Sequence, residues 1–428
     1  MSTYGPQKHA VPEAHDALDR VVLINDFSKV RGGAAALVVL LAKELLEMKV
    51  NVTLVTGDNG QHLTGELNNV EIVSLGEPPL LDRPTKDAVL KGLYNPAAAK
   101  MLSDWISRND TPGTVYHVHN WSHILSASIF RSLGVVSRRT VMHAHDYFLA
   151  CPNGAYADYR DGKECALTPL SFACLSTNCD RRSYSHKLWR AGRHLIRQSL
   201  WDFDKFGTDI LIIHENMGER FERAGFARSQ LVTVRNPSVP YTDSRIRAEE
   251  NQEYVFIGRV EEEKGVSDFL AAARRVKAPA RIIGDGSKLR ELSELFPEAT
   301  FDGWQSRTCI AELLKSARML VVPSRYPEPF GLVIAESVAS GMPVILPHSA
   351  LLAAEVADQA VGIPCDTRSI DELARVIDST RNDDEKIGIM SRRAFDLRTR
   401  FSVDPTNWSA QIVSYYNTLL RRAAIGSP

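Results

Sequence analysis

In the second half of the chain, four short stretches place charge and glycine where strands are expected to give way to loops. Gly258-Arg259 is followed by Lys264-Gly265, with Glu261, Glu262 and Glu263 between them. Gly284-Asp285-Gly286 follows an apolar run, Glu328-Pro329-Phe330-Gly331 opens a segment carrying Glu336, and Gly341-Met342-Pro343 closes it. These residue types suit a nucleoside diphosphate. An arginine fork fits phosphate oxygens and a lysine adds a point charge. The backbone N–H groups of Phe330, Gly331 and Leu332 would open a helix and present an anion site. Gly331, lacking a side chain, lets a phosphate come close. Glu328 lies before that helix and Glu336 about two turns into it. They would therefore touch different parts of one extended ligand, such as sugar and ribose hydroxyls. The competing reading pairs Arg259 and Lys264 with the three glutamates on a solvated face. The order of all four features, each at a strand end, favours the phosphate.

The elements that must position these residues alternate. Strands are expected at Arg20–Asn25, Val50–Thr56, Val70–Leu75, Thr114–His119, Arg139–His145 and Asp209–His214. A second series follows at Tyr254–Ile257, Arg281–Ile283, Met319–Pro323 and Val344–Leu346. Helices are expected at Ala34–Met48, Val266–Val276 and Phe330–Ser340. A further one runs over Pro405–Arg422, with Asp404 as N-cap and Pro405 at the first position. Strands alternating with helices predict an α/β protein of two doubly wound Rossmann-like domains facing each other across an interdomain cleft. Residues 1–18 read as a polar tail, 19–240 as an N-terminal acceptor-side domain, and 241–403 as a C-terminal nucleotide-sugar-binding domain. Residues 404–428 read as a C-terminal helix packing back on the first domain.

Bulk properties narrow the class. A length of 428 residues exceeds what one core usually serves. A net charge of −1 gives no reason to expect a nucleic-acid partner. The longest clean apolar run, Ala34–Ala42, is far short of a membrane span. The N-terminus shows no signal-peptide pattern, so a cytoplasmic protein with reduced cysteines is expected.

The stretches GRVEEEKG (258–265), IIGDG (282–286), EPFGLVIAE (328–336) and SGMPVI (340–345) together resemble the retaining glycosyltransferases of family 4, which have the GT-B fold. SKVRGGAA (28–35), VHNWS (118–122), HAHDY (143–147) and VRNPSV (234–239) occur in that family's order. The resemblance implies that Arg259 and Lys264 neutralise the donor diphosphate, with Gly258 and Gly284 beside it. It implies that Glu328 contacts the donor sugar near the reacting carbon and that Glu336 holds the ribose. Gly32 and Gly33 would let the N-terminal loop close, and His145 would face the donor sugar. It further implies a nucleoside diphosphate sugar as donor, retention of configuration and no cofactor or metal required for catalysis. The acceptor would be a glycan or a lipid-linked molecule, in surface polysaccharide or glycolipid biosynthesis. Two other readings stay open: an inactive nucleotide-sugar-binding scaffold, and an epimerase or phosphorylase of the same fold. By themselves His117 and His119, alternating along a strand, read as packing or strand-end hydrogen bonding.

Two further features stand apart. Cys151, Cys165, Cys174 and Cys179 lie in a loop-like insert, residues 151–180, and four thiolates could hold a structural zinc ion. Their gaps of 13, 8 and 4 residues lack the usual close pairs, and the alternative is a reduced, partly buried set. Residues 181–201 then hold six Arg or Lys and no acid. Tyr184, Leu188, Leu195, Ile196 and Leu200 can share one helix face, with Trp189 and Trp201 at its edges. Such a helix suits the inner, anionic face of the plasma membrane. Equally, it suits a helix packed on the domain with its basic face outward.

Overall fold

The computed structural model describes residues 18–29, 33–61, 67, 70–326, 328 and 330–425. Its contacts divide the chain into two compact units.

The first unit comprises residues 1–143, 196–209 and 409–428. It holds β1 (Arg20–Asn25), β2 (Asn51–Thr56), β3 (Glu71–Ser74), β4 (Thr114–Val118) and all but the last residue of β5 (Thr140–Ala144). They run parallel in the order β3-β2-β1-β4-β5. Val21 to Ile24 are wholly buried, as expected for a strand covered on both faces. The helix Pro96–Asn109 starts where Asn95 accepts hydrogen bonds from the Ala97 and Ala98 N–H groups, with proline at its first position. The last helix, Pro405–Ile425, is opened by Asp404, whose carboxylate accepts from the Thr406 and Asn407 N–H groups. From Ser409 onward it belongs to the first unit, where the Tyr415 hydroxyl donates to Asp209 at 3.0 Å.

The second unit comprises residues 144–195 and 210–408. It begins with an insert containing the short antiparallel pair β6 (Ala157–Asp158) and β7 (Lys163–Glu164). A parallel pair follows, β8 (Ile210–Ile212) and β9 (Leu231–Thr233). Six parallel strands complete it: β10 (Glu253–Ile257), β11 (Ala280–Ile283), β12 (Thr300–Gly303), β13 (Ala317–Val321), β14 (Val344–Pro347) and β15 (Gly362–Cys365). Their order is β12-β11-β10-β13-β14-β15. Tyr254, Phe256, Phe269, Ile282 and Ile345 lie in the core cluster beside this sheet. The order reverses at β10, which has β11 on one side and β13 on the other. Open α/β sheets bind ligands at such a switch point, outside the carboxyl ends of the strands.

By contact, the chain divides after His143, Leu195, Asp209 and Trp408. Arg181 pairs with Glu263, Asn216 bonds Leu351, and Arg235 pairs with Glu355, all inside the second unit.

The helix expected over 181–201 forms over Tyr184–Leu200, but its basic side chains do not face outward. Lys187, Arg193 and Arg197 are buried, while Tyr184, Leu188 and Leu195 are exposed. The long basic side chains find inward partners. Lys187 Nζ donates to the Cys174 carbonyl at 2.9 Å and to Cys179 Sγ at 3.0 Å. The Arg193 guanidinium lies over the Trp189 and Phe148 rings.

Candidate active site

Three chain segments converge at the carboxyl ends of β10, β11 and β13. The turn after β10 carries Gly258, Arg259 and Lys264, and the turn after β11 carries Gly284. These two turns pack backbone against backbone: Val260 N donates to Asp285 O at 2.9 Å, and Lys288 N to Val260 O at 3.0 Å. Gly284 has φ +145°, and a Cβ there would lie 1.8 Å from the Gly258 carbonyl oxygen. Only glycine fits.

The segment after β13 brings Ser324, Tyr326 and Glu328 to Lys264. The Lys264 ammonium pairs directly with the Glu328 carboxylate. Ser324 Oγ donates to the same carboxylate at 2.6 Å, and the ammonium lies 5.0 Å from the Tyr326 ring centroid. Both charges are largely buried. Burial alone would push the Lys264 ammonium toward neutrality, but the neighbouring Glu328 charge outweighs it and holds the pKa well above the usual lysine value. Burial likewise acts to raise Glu328, and Lys264, Ser324 and Arg259 together hold it below the usual carboxylate range. Arg259 is exposed at the mouth of this pair. Lys264 thus does not pair with the three glutamates beside it, although the Arg259 charge acts on Glu261. Glu261 accepts from Ser287, Glu262 pairs with Arg325, and Glu263 pairs with Arg181.

The helix carrying Glu336 starts at Leu332, with Gly331 as its N-cap at φ +70°. Phe330 therefore precedes the cap. It is buried, with its ring 6.3 Å from that of His214. Glu336 forms an ion pair with Arg307 at 2.8 Å, and Arg307 lies over the Tyr241 ring at 4.7 Å. Burial dominates at Glu336 and raises its pKa in spite of Arg307 and the Tyr241 hydroxyl.

His145, just after β5, stands in a third environment. Burial lowers its pKa to about 4, so the imidazole is neutral at pH 7. Burial raises the adjacent Asp146 to about 6, although its carboxylate accepts from the Phe148 N–H at 2.9 Å. Gly32 lies outside the described residues, and Gly33 is the exposed first residue of the helix Gly33–Glu47.

Among the described residues, no three sulfurs of the insert lie within 4.8 Å of one another, although Cys174 and Cys179 are close enough for their charges to act on Cys151. Cys151, Cys174 and Cys179 are buried and Cys165 is partly so, all as free thiols. The Lys187 ammonium stands between Cys174 and Cys179, and the Asn153 amide links Cys151 to Cys179. A buried cation and an amide thus link these thiols. Among the described residues, the side chains whose ligand atoms do meet within 4.8 Å are His117, His119 and His143. An open cavity of about 360 Å³ lies between the insert and the segment holding Tyr326, lined by Tyr159, Arg160, Arg181, Glu263 and Arg325 among others.

Arg307, Tyr241, Ser324 and Tyr326 escaped the sequence reading. Ser324 and Tyr326 stand just before the EPFG stretch, and that adjacency was a usable signal. Tyr241 and Arg307 are far apart in sequence and meet only through folding.

A second cluster, around Glu355, supports the same unit. Its carboxylate faces Arg235, Arg400 and His214, with Glu215 on the far side of Arg235. Burial acts to raise Glu355, but these partners lower its pKa to about 2. A depressed folded-state pKa stabilises above the unfolded value and loses that contribution as pH falls. Glu355→Gln should therefore lower stability at pH 7 by on the order of 2 kcal/mol. The gap from wild type should close between pH 4.5 and about 2. Urea unfolding at a series of pH values measures this, and a gap independent of pH would refute it.

The two units and the switch-point site define a GT-B fold. Residues 242–396 match the family model described as glycosyl transferases group 1. The fold is shared with Anabaena Alr3699/HepE in complex with UDP (TM-score 0.65, 16% identity, covering 93% of this chain and 100% of that chain). It is also shared with WaaG, a glycosyltransferase involved in lipopolysaccharide biosynthesis (TM-score 0.63, 15% identity, 92% and 99%). In sequence, the chain is 27% identical over 344 residues to the glycogen synthase of Mycobacterium tuberculosis, covering 75% of this chain and 78% of that one.

Proposed function

We propose that the protein is a retaining glycosyltransferase that moves a sugar from a nucleoside diphosphate sugar to a glycan or lipid-linked acceptor. The observation that carries this reading is the buried Lys264–Glu328 pair at the switch point of β10 and β13, with Arg259 at its mouth. Breaking a sugar–phosphate bond builds negative charge on the leaving diphosphate. A lysine and an arginine already oriented there stabilise that charge without reorganising, which is commonly the largest catalytic term. In this reading the diphosphate takes over the Lys264 ammonium, and Glu328 turns to the donor sugar. Glu336 holds the ribose, with Arg307 and Tyr241 fixing its carboxylate. Neutral His145 contributes hydrogen bonds near the sugar. The match over residues 242–396 and the UDP bound by HepE support a nucleotide-sugar donor.

The test is a thermal-shift screen against UDP-, GDP-, ADP- and dTDP-sugars, followed by an assay for free nucleoside diphosphate with candidate acceptors. Ligand at about 100 times its Kd should add about 2.7 kcal/mol of apparent stability. A selective shift with diphosphate release identifies the donor. A shift without turnover on any glycan or lipid-linked acceptor points instead to a binding scaffold, and interconversion of the donor itself points to an epimerase.

We further propose that the outward face of the helix Tyr184–Leu200 seats the protein on an anionic membrane surface. Leu188, Leu195 and Tyr184 are 46%, 53% and 40% exposed, and Phe172 on the neighbouring short helix is 88% exposed. The Tyr184 hydroxyl donates to the Leu175 carbonyl, tying the two helices together. Arg181 and Arg182 stand exposed beside them. Co-sedimentation should be strong with vesicles containing phosphatidylglycerol and weak with phosphatidylcholine alone. It should drop about ten-fold or more in a Leu188→Glu, Leu195→Glu variant. Equal binding by the variant would end this proposal. Among the described residues, no helix is long and apolar enough to cross a membrane.

A further inference from the structure

The carboxyl edge of the first unit's sheet carries a second cluster of potential chemistry, independent of the donor site. His117 and His119 follow one another at the end of β4, two residues apart, and so project to the same side. β4 pairs with β5 in the register His117↔Val141 and Val118↔Met142. Continuing that register sets position 119 opposite 143, with 117 on the diagonal. His119 N donates to the Ile24 carbonyl at 2.9 Å, which prolongs the ladder past the last residue of β4 and fixes the backbone there. The three rings are 0%, 5% and 2% exposed. Their centroids are separated by 4.1, 5.2 and 5.3 Å, and one ligand nitrogen from each lies within 4.8 Å of the others.

We propose that His117, His119 and His143 bind a divalent transition-metal ion of the zinc, cobalt and nickel class. Three nitrogens about a tetrahedral ion stand roughly 3.3 Å apart for metal–nitrogen bonds near 2.05 Å. The observed spacing reaches that by small ring rotations. A metal-binding histidine is usually oriented by a hydrogen bond at its other ring nitrogen. His117 has this bond: its Nδ1 lies 2.6 Å from the hydroxyl of fully buried Tyr416, so Nε2 is the nitrogen it would turn to the metal. The gathered group contains no carboxylate. The nearby Asp26 carboxylate is already occupied by the N–H groups of His123, Ile124 and Leu125 at 2.7–2.9 Å. A nitrogen-only set favours transition ions and disfavours magnesium and calcium, which take oxygen ligands. Three protein ligands leave a coordination position for an oxygen donor such as water.

The experiment uses the full chain carrying no affinity histidines, stripped with chelator and titrated with Co²⁺ and Zn²⁺. We expect about one equivalent bound, with a Co²⁺ spectrum of nitrogen and oxygen ligation and no thiolate charge-transfer band. Zn²⁺ should raise the melting temperature, and Mg²⁺ should not. His119→Gln and His143→Gln should each weaken binding at least about ten-fold, as should Tyr416→Phe, which keeps all three ligands. Absence of Co²⁺ and Zn²⁺ binding by the wild-type chain would overturn the proposal. So would a thiolate band, which would move the ion to the cysteines of the insert. The wild-type spectrum decides this even if a histidine variant fails to fold.

Discussion

Lys264→Ala should reduce sugar transfer by about 10²–10³-fold, the usual consequence of removing one preorganised group aimed at developing charge. It should also destabilise the second unit. Glu328 would keep its 2.6 Å bond from Ser324 but lose the cation that compensates its buried charge. Breaking a buried pair from one side typically costs about 3–5 kcal/mol, whereas replacing both partners by neutral groups is often nearly neutral. The two effects therefore separate in a cycle. Lys264→Met alone and Glu328→Gln alone should each lose stability, and the double variant should recover much of it. Transfer should stay low in all three. Urea unfolding and steady-state diphosphate release read the two axes. A single variant with near-normal turnover would remove this pair from the active site. A double variant as unstable as the sum of the singles would show that the two charges do not interact.

Gly284→Ala should be among the most damaging single-methyl additions in the chain. The new Cβ would sit 1.8 Å from the Gly258 carbonyl oxygen and 2.9 Å from its carbon, at a φ of +145° that side chains rarely adopt. Neither backbone can step aside easily. Gly258 N is bonded to Ile283 O at 3.0 Å, and Gly284 N to Gly303 O at 2.8 Å. We expect a loss of about 3 kcal/mol or more, together with donor binding, because the turn that carries Arg259 and Lys264 must move away from the turn that carries Gly284. Gly192→Ala is the control. A Cβ there meets nothing within 4 Å and lies inside the helix Tyr184–Leu200, so it should stabilise by about 0.5–1 kcal/mol. Paired unfolding curves settle the comparison, and a small loss in Gly284→Ala would mean that the two turns are not rigidly packed.

The legible part of the site follows from local chemistry. Gly258, Gly284 and Gly331 were readable because a turn against a neighbouring backbone or a helix cap demands glycine at that position. Arg259, Lys264 and Glu328 follow successive strands of an α/β pattern, and charges there share one edge of the sheet, while Glu336 was readable from its place in the helix that Glu328 precedes. The long apolar strands were legible for the same local reason, since Val21–Ile24 and Val255–Ile257 are buried on both faces. β6, β7, β9, β12 and β15 were not, and β6 and β7, with two residues each, carry too little pattern to be read.

Three things only the tertiary structure decided. The first is the pairing of charges. A lysine near three glutamates in sequence instead pairs with Glu328, because the strand order β11-β10-β13 places the two turns side by side. The second is the orientation of the helix Tyr184–Leu200. Amphipathic periodicity identifies two faces but not which one is buried, and here rings, carbonyls and thiol sulfurs draw Lys187, Arg193 and Arg197 inward. The third is the meeting of His117 and His119 with His143. Period-two spacing puts the first two on one side of a strand, but the third arrives through strand pairing and Tyr416 through the last helix. Sequence by itself determined which residues can carry charge and where the backbone must turn. Which partners they meet depends on strand order and packing between distant segments, and no local pattern encodes those contacts.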